Sequence, residues 1–186
     1  EENNKDRFTL NGKTLKMETE QQVIHYQTNM ATMIQLGKWF DYMRENGVYD
    51  NTRIILVSDH GRLLEHSDEL MLEDVMDLAY YYPLLMVKDF NSSGFVTSDE
   101  FMTNGDVPTL ATGGIIDNPV NPFTGKLINA DEKTAHDQYI IASFAWDVNT
   151  NNGNKFLPSK WYAVHDSLWN KENWKVVQES DILPEE

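Results

Sequence analysis

The run at residues 53–58, Arg-Ile-Ile-Leu-Val-Ser, is the feature that most restricts the fold of this chain. It is short, rich in β-branched residues and apolar without alternation, which is typical of a strand covered on both faces. We therefore predict a central, parallel strand here. A second apolar run at 84–87, entered through Pro83, predicts another strand. A strand, a crossover and a second strand indicate an α/β layer architecture, with a mostly parallel sheet and flanking helices.

An amphipathic helix is predicted over residues 20–46. Its apolar residues recur at intervals of three and four, the spacing that lines one side of a helix. These residues are Val23, Tyr26, Met30, Met33, Ile34, Gly37, Phe40 and Met43. We expect the stripe of Met30, Met33 and Phe40 to belong to the core. Gly47 stands where a left-handed residue commonly ends a helix, so we expect the helix to end there.

The two ends of the chain differ in character from its middle. Residues 1–19 form a polar lead-in, in which Asn11-Gly12 predicts the turn of a small hairpin. Residues 139–186 contain aromatic and β-branched runs separated by Asn, Gly and Pro, which predict a small antiparallel C-terminal sheet. The runs are 139–146, 161–164 and 174–177, and we expect Trp161, Trp169 and Trp174 to pack together. Residues 20–138 are the predicted α/β core.

The composition excludes several classes of function. The chain has 186 residues, no cysteine and a formal charge of −15, with a pI near 4.6. Such a charge repels phosphate backbones and anionic lipid surfaces, so nucleic acid is excluded as a partner. The longest nearly apolar run, at 79–87, is far shorter than the roughly 20 residues that span a bilayer. We therefore expect this segment to be soluble and to make no membrane contact itself.

Chemistry is indicated at Asp59-His60-Gly61, directly after the predicted buried strand. Open α/β sheets place their ligand crevices at the carboxyl ends of strands. A carboxylate and an imidazole there offer oxygen and nitrogen ligands to a divalent cation, and Gly61 allows the backbone to bend away. The same residues also fit a structural role, with Asp59 capping the next segment and His60 at the surface. Taken alone, the motif leaves both interpretations open.

The surrounding sequence resembles the sulfatase family of the alkaline phosphatase superfamily. The block 26–61 combines an amphipathic helix, the turn 49–52 (Tyr-Asp-Asn-Thr), an apolar strand and Ser-Asp-His-Gly, in the order found in that family. The stretches 82–88 and 106–110 are similar to the family's next strand and next helix start. Asp106, two residues before Pro108, is also expected to cap this short helix. The branch it most resembles is that of the lipoteichoic acid synthases and phosphoglycerol transferases.

The resemblance implies a partial alkaline phosphatase-like sandwich, in which Asp59 and His60 bind a divalent metal (Mn, Ca, Zn or Mg). It implies a parent enzyme that hydrolyses or transfers sulfate or phosphate esters. The family's nucleophile has no counterpart in this chain, so the expected partner is an upstream half of the same polypeptide. The chain alone is expected to be inactive. A parent of this branch is expected to be membrane-anchored, with this part on the extracytoplasmic face.

The sequence offers two further candidate site residues and a second possible function. His66 and Arg62 follow the motif and are candidates for contact with an anionic ester, although an exposed loop histidine and a solvated arginine are commoner. The competing function is a non-catalytic α/β module that binds carbohydrate or protein through its aromatic C-terminal third. Five Trp and eight Tyr in the chain favour such contacts.

Overall fold

The described part of the chain falls into two units of helices and strands. The computed structural model describes residues 8–10, 13–15, 17–62, 64, 69–72, 76–142 and 160–178. The first unit comprises residues 1–66 and 80–95, and the second comprises residues 67–79 and 96–186. The helices are α1 (Glu20–Glu45), α2 (Val107–Thr112) and α3 (Ala130–Ala135). The strands are β1 (Phe8–Leu10), β2 (Lys13–Leu15), β3 (Ile54–Val57), β4 (Met71–Leu72), β5 (Met76–Asp77), β6 (Leu85–Lys88), β7 (Gln138–Ala142), β8 (Lys160–Val164) and β9 (Trp174–Val177).

The polar lead-in contains the predicted hairpin. β1 and β2 pair antiparallel, with Thr9 opposite Thr14 and Leu10 opposite Lys13. Residues 11–12, which carry the Asn-Gly turn signal, lie outside the described residues.

Helix α1 begins and ends at residues whose chemistry favours those positions. The Thr19 hydroxyl accepts a hydrogen bond from the Gln22 backbone N–H at 3.2 Å, and the Gln22 side-chain oxygen accepts one from the Thr19 N–H at 3.0 Å. This reciprocal pair is a capping box. At the other end Gly47 has a φ of 68°, and the Gly47 and Val48 N–H groups return to carbonyls of the last turn. The predicted helix and its end at Gly47 are confirmed.

The apolar face of α1 is largely exposed in its middle. Met30, Met33 and Ile34 all lie on this face, and all three side chains are exposed. Only Gln22 and Met43 are buried among the residues of this helix. The prediction that Met30 and Met33 belong to the core is therefore wrong for this chain, because helical spacing identifies a face but not what covers it. None of the helices in the described residues has the length and apolar character needed to cross a bilayer.

Strands β3 and β6 form the two-stranded sheet of the first unit. Both strands lie where the apolar runs predict them, and they pair antiparallel with Ile54 opposite Lys88 and Val57 opposite Leu85. The prediction of a parallel pair is wrong. Parallel pairing needs a long crossover, usually a helix, that carries the chain back to the end of the sheet where the first strand begins. The described residues between β3 and β6 instead form the short β4–β5 ribbon and a 3₁₀ turn at Leu78–Tyr81.

The Lys88 side chain links strand β6 to the turn that follows α1. The Lys88 ammonium donates to the carbonyl oxygens of Tyr49 at 2.5 Å and Thr52 at 3.0 Å, and it lies 4.4 Å from the centre of the Tyr49 ring. Next to it, Arg53 pairs with Asp89 at 2.8 Å. These contacts fix the entry into β3.

The second unit is built on a three-stranded antiparallel sheet in the order β7-β8-β9. The central strand provides its buried side chains, since Tyr162, Ala163 and Val164 are almost fully buried. Trp174 at the start of β9 is buried beside them and lies opposite Val164. The predicted small antiparallel C-terminal sheet is confirmed over these residues. The fold is thus mixed α/β, with helices and small antiparallel sheets.

Two local predictions for the second unit concern Trp169 and Asp106. Trp169 is 66% exposed, whereas Trp174 is buried. The packing of Trp161, Trp169 and Trp174 against each other stays a prediction. Asp106 stands at the N-cap position of α2, but its side chain makes no capping hydrogen bond there. The prediction that Asp106 caps α2 is wrong, because other partners hold its carboxylate.

Candidate metal site

The candidate site is the loop that leaves β3, and two backbone–backbone hydrogen bonds and one backbone–side-chain hydrogen bond hold it in place. The Ser58 N–H donates to the Leu84 carbonyl at 3.0 Å, and the Leu84 N–H donates to the Ser58 hydroxyl oxygen at 2.7 Å. The Gly61 N–H donates to the Tyr80 carbonyl at 2.9 Å. The loop is therefore fixed on both sides of the two candidate ligands. These bonds extend the antiparallel pairing of β3 with the chain that enters β6.

Asp59 and His60 turn toward each other within this loop. Oδ2 of Asp59 lies 3.7 Å from Nε2 of His60. Nδ1 of His60 lies 2.6 Å from the Gly61 carbonyl oxygen, which can only accept a hydrogen bond. In the neutral imidazole Nδ1 therefore carries the proton, and the lone pair is on Nε2, the nitrogen nearer Asp59. Metal-binding histidines are commonly oriented in this way by a backbone carbonyl.

The chemistry of the pair fits part of a cation site. Asp59 is 88% exposed and His60 is 57% exposed, so water reaches both groups. A carboxylate oxygen and an imidazole nitrogen suit zinc, manganese and similar divalent ions. Over the described residues no cluster of three or more His, Asp or Glu side chains converges. The two residues thus fit two positions around a metal, and any further ligands would be water or other groups.

Of the four predicted site residues the structure describes three, and it places Asp59 and His60 close together. Arg62 is exposed and lies two residues beyond His60 along the chain. His66 lies outside the described residues. The predicted contact of Arg62 and His66 with an ester substrate stays a prediction.

Comparisons with protein-family models, with curated proteins and with solved structures found no match. The assignment of Asp59 and His60 therefore depends on their geometry and on the sequence resemblance.

A second cluster of charged residues surrounds Asp106 in the second unit. Asp106 is 1% exposed, and its Oδ2 accepts hydrogen bonds from the Lys133 ammonium at 2.5 Å and the Thr103 N–H at 2.9 Å. Its Oδ1 accepts from the Asn121 side-chain amide at 3.0 Å. The carboxylate therefore joins the start of α2, the loop at 121 and helix α3. The sequence gives no signal for this cluster, because Lys133 lies 27 residues away and belongs to no motif.

The ion pair keeps Asp106 charged despite its burial. Burial raises the pKa of the carboxyl, but the hydrogen bonds from Lys133, Thr103 and Asn121 outweigh it and hold the pKa of Asp106 below its usual value. Its described hydrogen-bond partners are all groups of the fold itself, from Thr103, Asn121 and Lys133. We interpret it as a structural cluster.

Proposed function

We propose that this chain is the C-terminal part of the catalytic domain of a sulfatase-like, metal-dependent enzyme that acts on phosphate or sulfate esters. In this proposal Asp59 and His60 are two of the metal ligands, and an upstream half of the same polypeptide supplies the nucleophile and the remaining ligands. The parent belongs to the type of the lipoteichoic acid synthases and phosphoglycerol transferases, with this part on the extracytoplasmic face of the membrane.

The observation that carries the proposal is the orientation of the Asp59–His60 pair. The Gly61 carbonyl occupies Nδ1 of His60, which leaves Nε2 facing the same side as Oδ2 of Asp59. A divalent cation bound there would activate a hydroxyl for attack and would offset charge on the ester oxygens. The chain's own contribution is to present one negative and one neutral ligand on a fixed loop.

The exposed apolar side chains of β3 and β6 support an additional packing partner. Val57, Met86 and Val87 are exposed, although their strands have the apolar composition of strands covered on both faces. A two-stranded sheet is only marginally stable alone, and three or more strands with a covered face are the usual minimum. Further strands from an upstream half would cover these residues and complete the sheet.

The antiparallel pairing of β3 and β6 is compatible with the proposed sandwich. Large α/β sheets that are otherwise parallel often carry an antiparallel edge strand. In the proposed parent, upstream strands would pair parallel with β3, and β6 would form the antiparallel neighbour. The alkaline phosphatase-like sandwich is therefore proposed for the assembled parent.

Assays of ester cleavage by the chain joined to this upstream half test the proposal. We expect turnover of aryl phosphate or aryl sulfate esters with Mn²⁺, Zn²⁺, Ca²⁺ or Mg²⁺. Replacement of both ligands (Asp59→Ala, His60→Ala) should lower turnover more than about 100-fold, since even residues outside the ligand set cost roughly 10- to 100-fold. Asp50→Asn, an exposed carboxylate on the preceding turn, is the matched control and should have no effect. Unchanged turnover in the double variant would reject the proposal.

A further inference from the structure

We infer that the turn between β8 and β9 carries a second binding site, which takes one pyranose ring of a neutral carbohydrate on the indole of Trp169. The site lies in the second unit and does not depend on the proposed metal site. An open depression of about 370 Å³ is lined there by Glu69, Trp169, Asn170, Lys171 and Glu172. This volume is within the range of small-ligand sites.

Trp169 is exposed on a turn that is held rigid by hydrogen bonds. The Trp174 indole N–H donates to the Leu168 carbonyl at 2.8 Å, and the Asn173 side-chain amide donates to the Ser167 carbonyl at 2.9 Å. The Asn170 side-chain oxygen accepts from the Glu172 N–H at 3.1 Å. Trp174 itself is buried in the sheet, so the turn is anchored to the core. A surface that is already ordered loses little entropy when it binds a ligand.

The chemistry of the lining favours a sugar over other ligands. Among the described residues of the lining, Trp169 is the one large apolar group, so a wholly apolar ligand would leave most of its surface uncovered by them. A pyranose ring has an apolar C–H face that stacks on a flat indole, while its edge carries hydroxyl groups. Hydroxyls both donate and accept, and the lining supplies carboxylate acceptors together with the Lys171 ammonium donors.

The charges of the lining distinguish a neutral sugar from ionic ligands. Glu69 and Glu172 repel a phosphate or a uronic acid, as does the net charge of −15. An organic cation would be attracted by the indole face and the two carboxylates, but Lys171 in the same lining opposes it. A neutral sugar meets no opposing charge, and it uses both kinds of hydrogen-bonding group.

Calorimetric titration of the full chain with cellohexaose, maltohexaose and chitohexaose tests the inference. We expect at least one of these neutral oligosaccharides to bind. Trp169→Ala should weaken that binding by roughly tenfold or more, while Trp169→Phe, which keeps an aromatic face, should retain it within about threefold. Trp39→Ala is the matched control, because Trp39 is 49% exposed on α1 in the first unit, and it should leave binding unchanged.

Two results would overturn the inference. One is the absence of binding to all three oligosaccharides, with tetramethylammonium binding instead as the sign of a cation site. The other is equal oligosaccharide binding by the Trp169→Ala variant. Circular dichroism should show the same fold in both Trp169 variants, since the side chain is exposed. The metal-site proposal is tested by ester turnover, so failure of one leaves the other intact.

Discussion

At the scale of single residues, Asp106 is a buried carboxylate that needs Lys133 to stay charged. Removing one partner of a buried ion pair leaves the other charge uncompensated in a poorly solvated place. Lys133 is only 16% exposed, so it would meet this penalty if Asp106 were neutral. The Asn121 amide and the Thr103 N–H would also lose an anionic acceptor. We therefore expect Asp106 to contribute strongly to the stability of the second unit.

Asp106→Asn should lower the free energy of unfolding by about 3 kcal/mol at neutral pH, because Lys133 loses its counterion. The folded-state pKa of Asp106 is lowered from 3.8, so its contribution is complete above that pH and is lost as the pH falls through the lowered value. The difference between wild type and Asp106→Asn should therefore shrink below pH 3.8. Urea unfolding followed across acidic pH measures it. Asp117→Asn, an exposed loop carboxylate, is the control, and an equal loss in that variant would contradict the prediction.

The two charged clusters differ in how far the sequence predicts them. Asp59 and His60 are neighbours in the chain, so the end of a strand is enough to bring their side chains to 3.7 Å from each other. Asp106 meets Asn121 and Lys133 only because two helices and a loop pack together. The N-cap position of Asp106 is visible in the local sequence. Its side chain can bond either to the N-terminus of the helix or to distant residues, and the sequence does not show which of the two it does.

At the scale of elements, α1 follows local rules almost completely. The spacing of apolar residues, the capping threonine and the closing glycine all act within one or two turns, so the predicted and observed ends agree closely. The pairing direction of β3 and β6, by contrast, does not follow from local rules. A continuous apolar run predicts that a strand exists, but its pairing direction depends on the path of the chain between the strands. The burial of the α1 face also depends on partners that the sequence of α1 does not describe.

Thr19→Ala should destabilise the chain by about 1 kcal/mol, because the Gln22 N–H loses the acceptor that caps α1. Thr19→Ser keeps a hydroxyl in the same place and should retain most of the stability. Thr28→Ala, an exposed threonine within the same helix, is the matched control and should not destabilise, since alanine favours the helix interior. Urea unfolding followed by helical circular dichroism measures all three. A loss in Thr28→Ala as large as in Thr19→Ala would show that the cap is not the cause.

At the scale of the whole molecule, the chain passes between its two units three times. The passages lie at residues 66–67, 79–80 and 95–96. The last of them is in a segment without helix or strand, where residues 91–100 are all exposed. A segment with few buried contacts opens at little cost in free energy, and a protease needs such an opening to bind the backbone. Local stability along the chain should therefore be lowest near this passage among the described loops.

Chymotrypsin should cleave after Phe95 at least roughly tenfold faster than after Phe123, a ratio that corresponds to about 1.4 kcal/mol of local stability. The two side chains are equally accessible, at 78% and 80% exposed, so accessibility alone predicts equal rates. Phe123 lies in a turn in which the Phe123 and Thr124 N–H groups donate to the side-chain oxygen of Asn121. The amide nitrogen of Asn121 in turn donates to Asp106, which keeps the Asn121 side chain in place. Mass spectrometry of a time course measures both cuts. Phe95→Ala should remove the faster cut and leave the slower one, whereas equal rates at the two sites in the wild type would show that the hydrogen-bonded turn gives no protection.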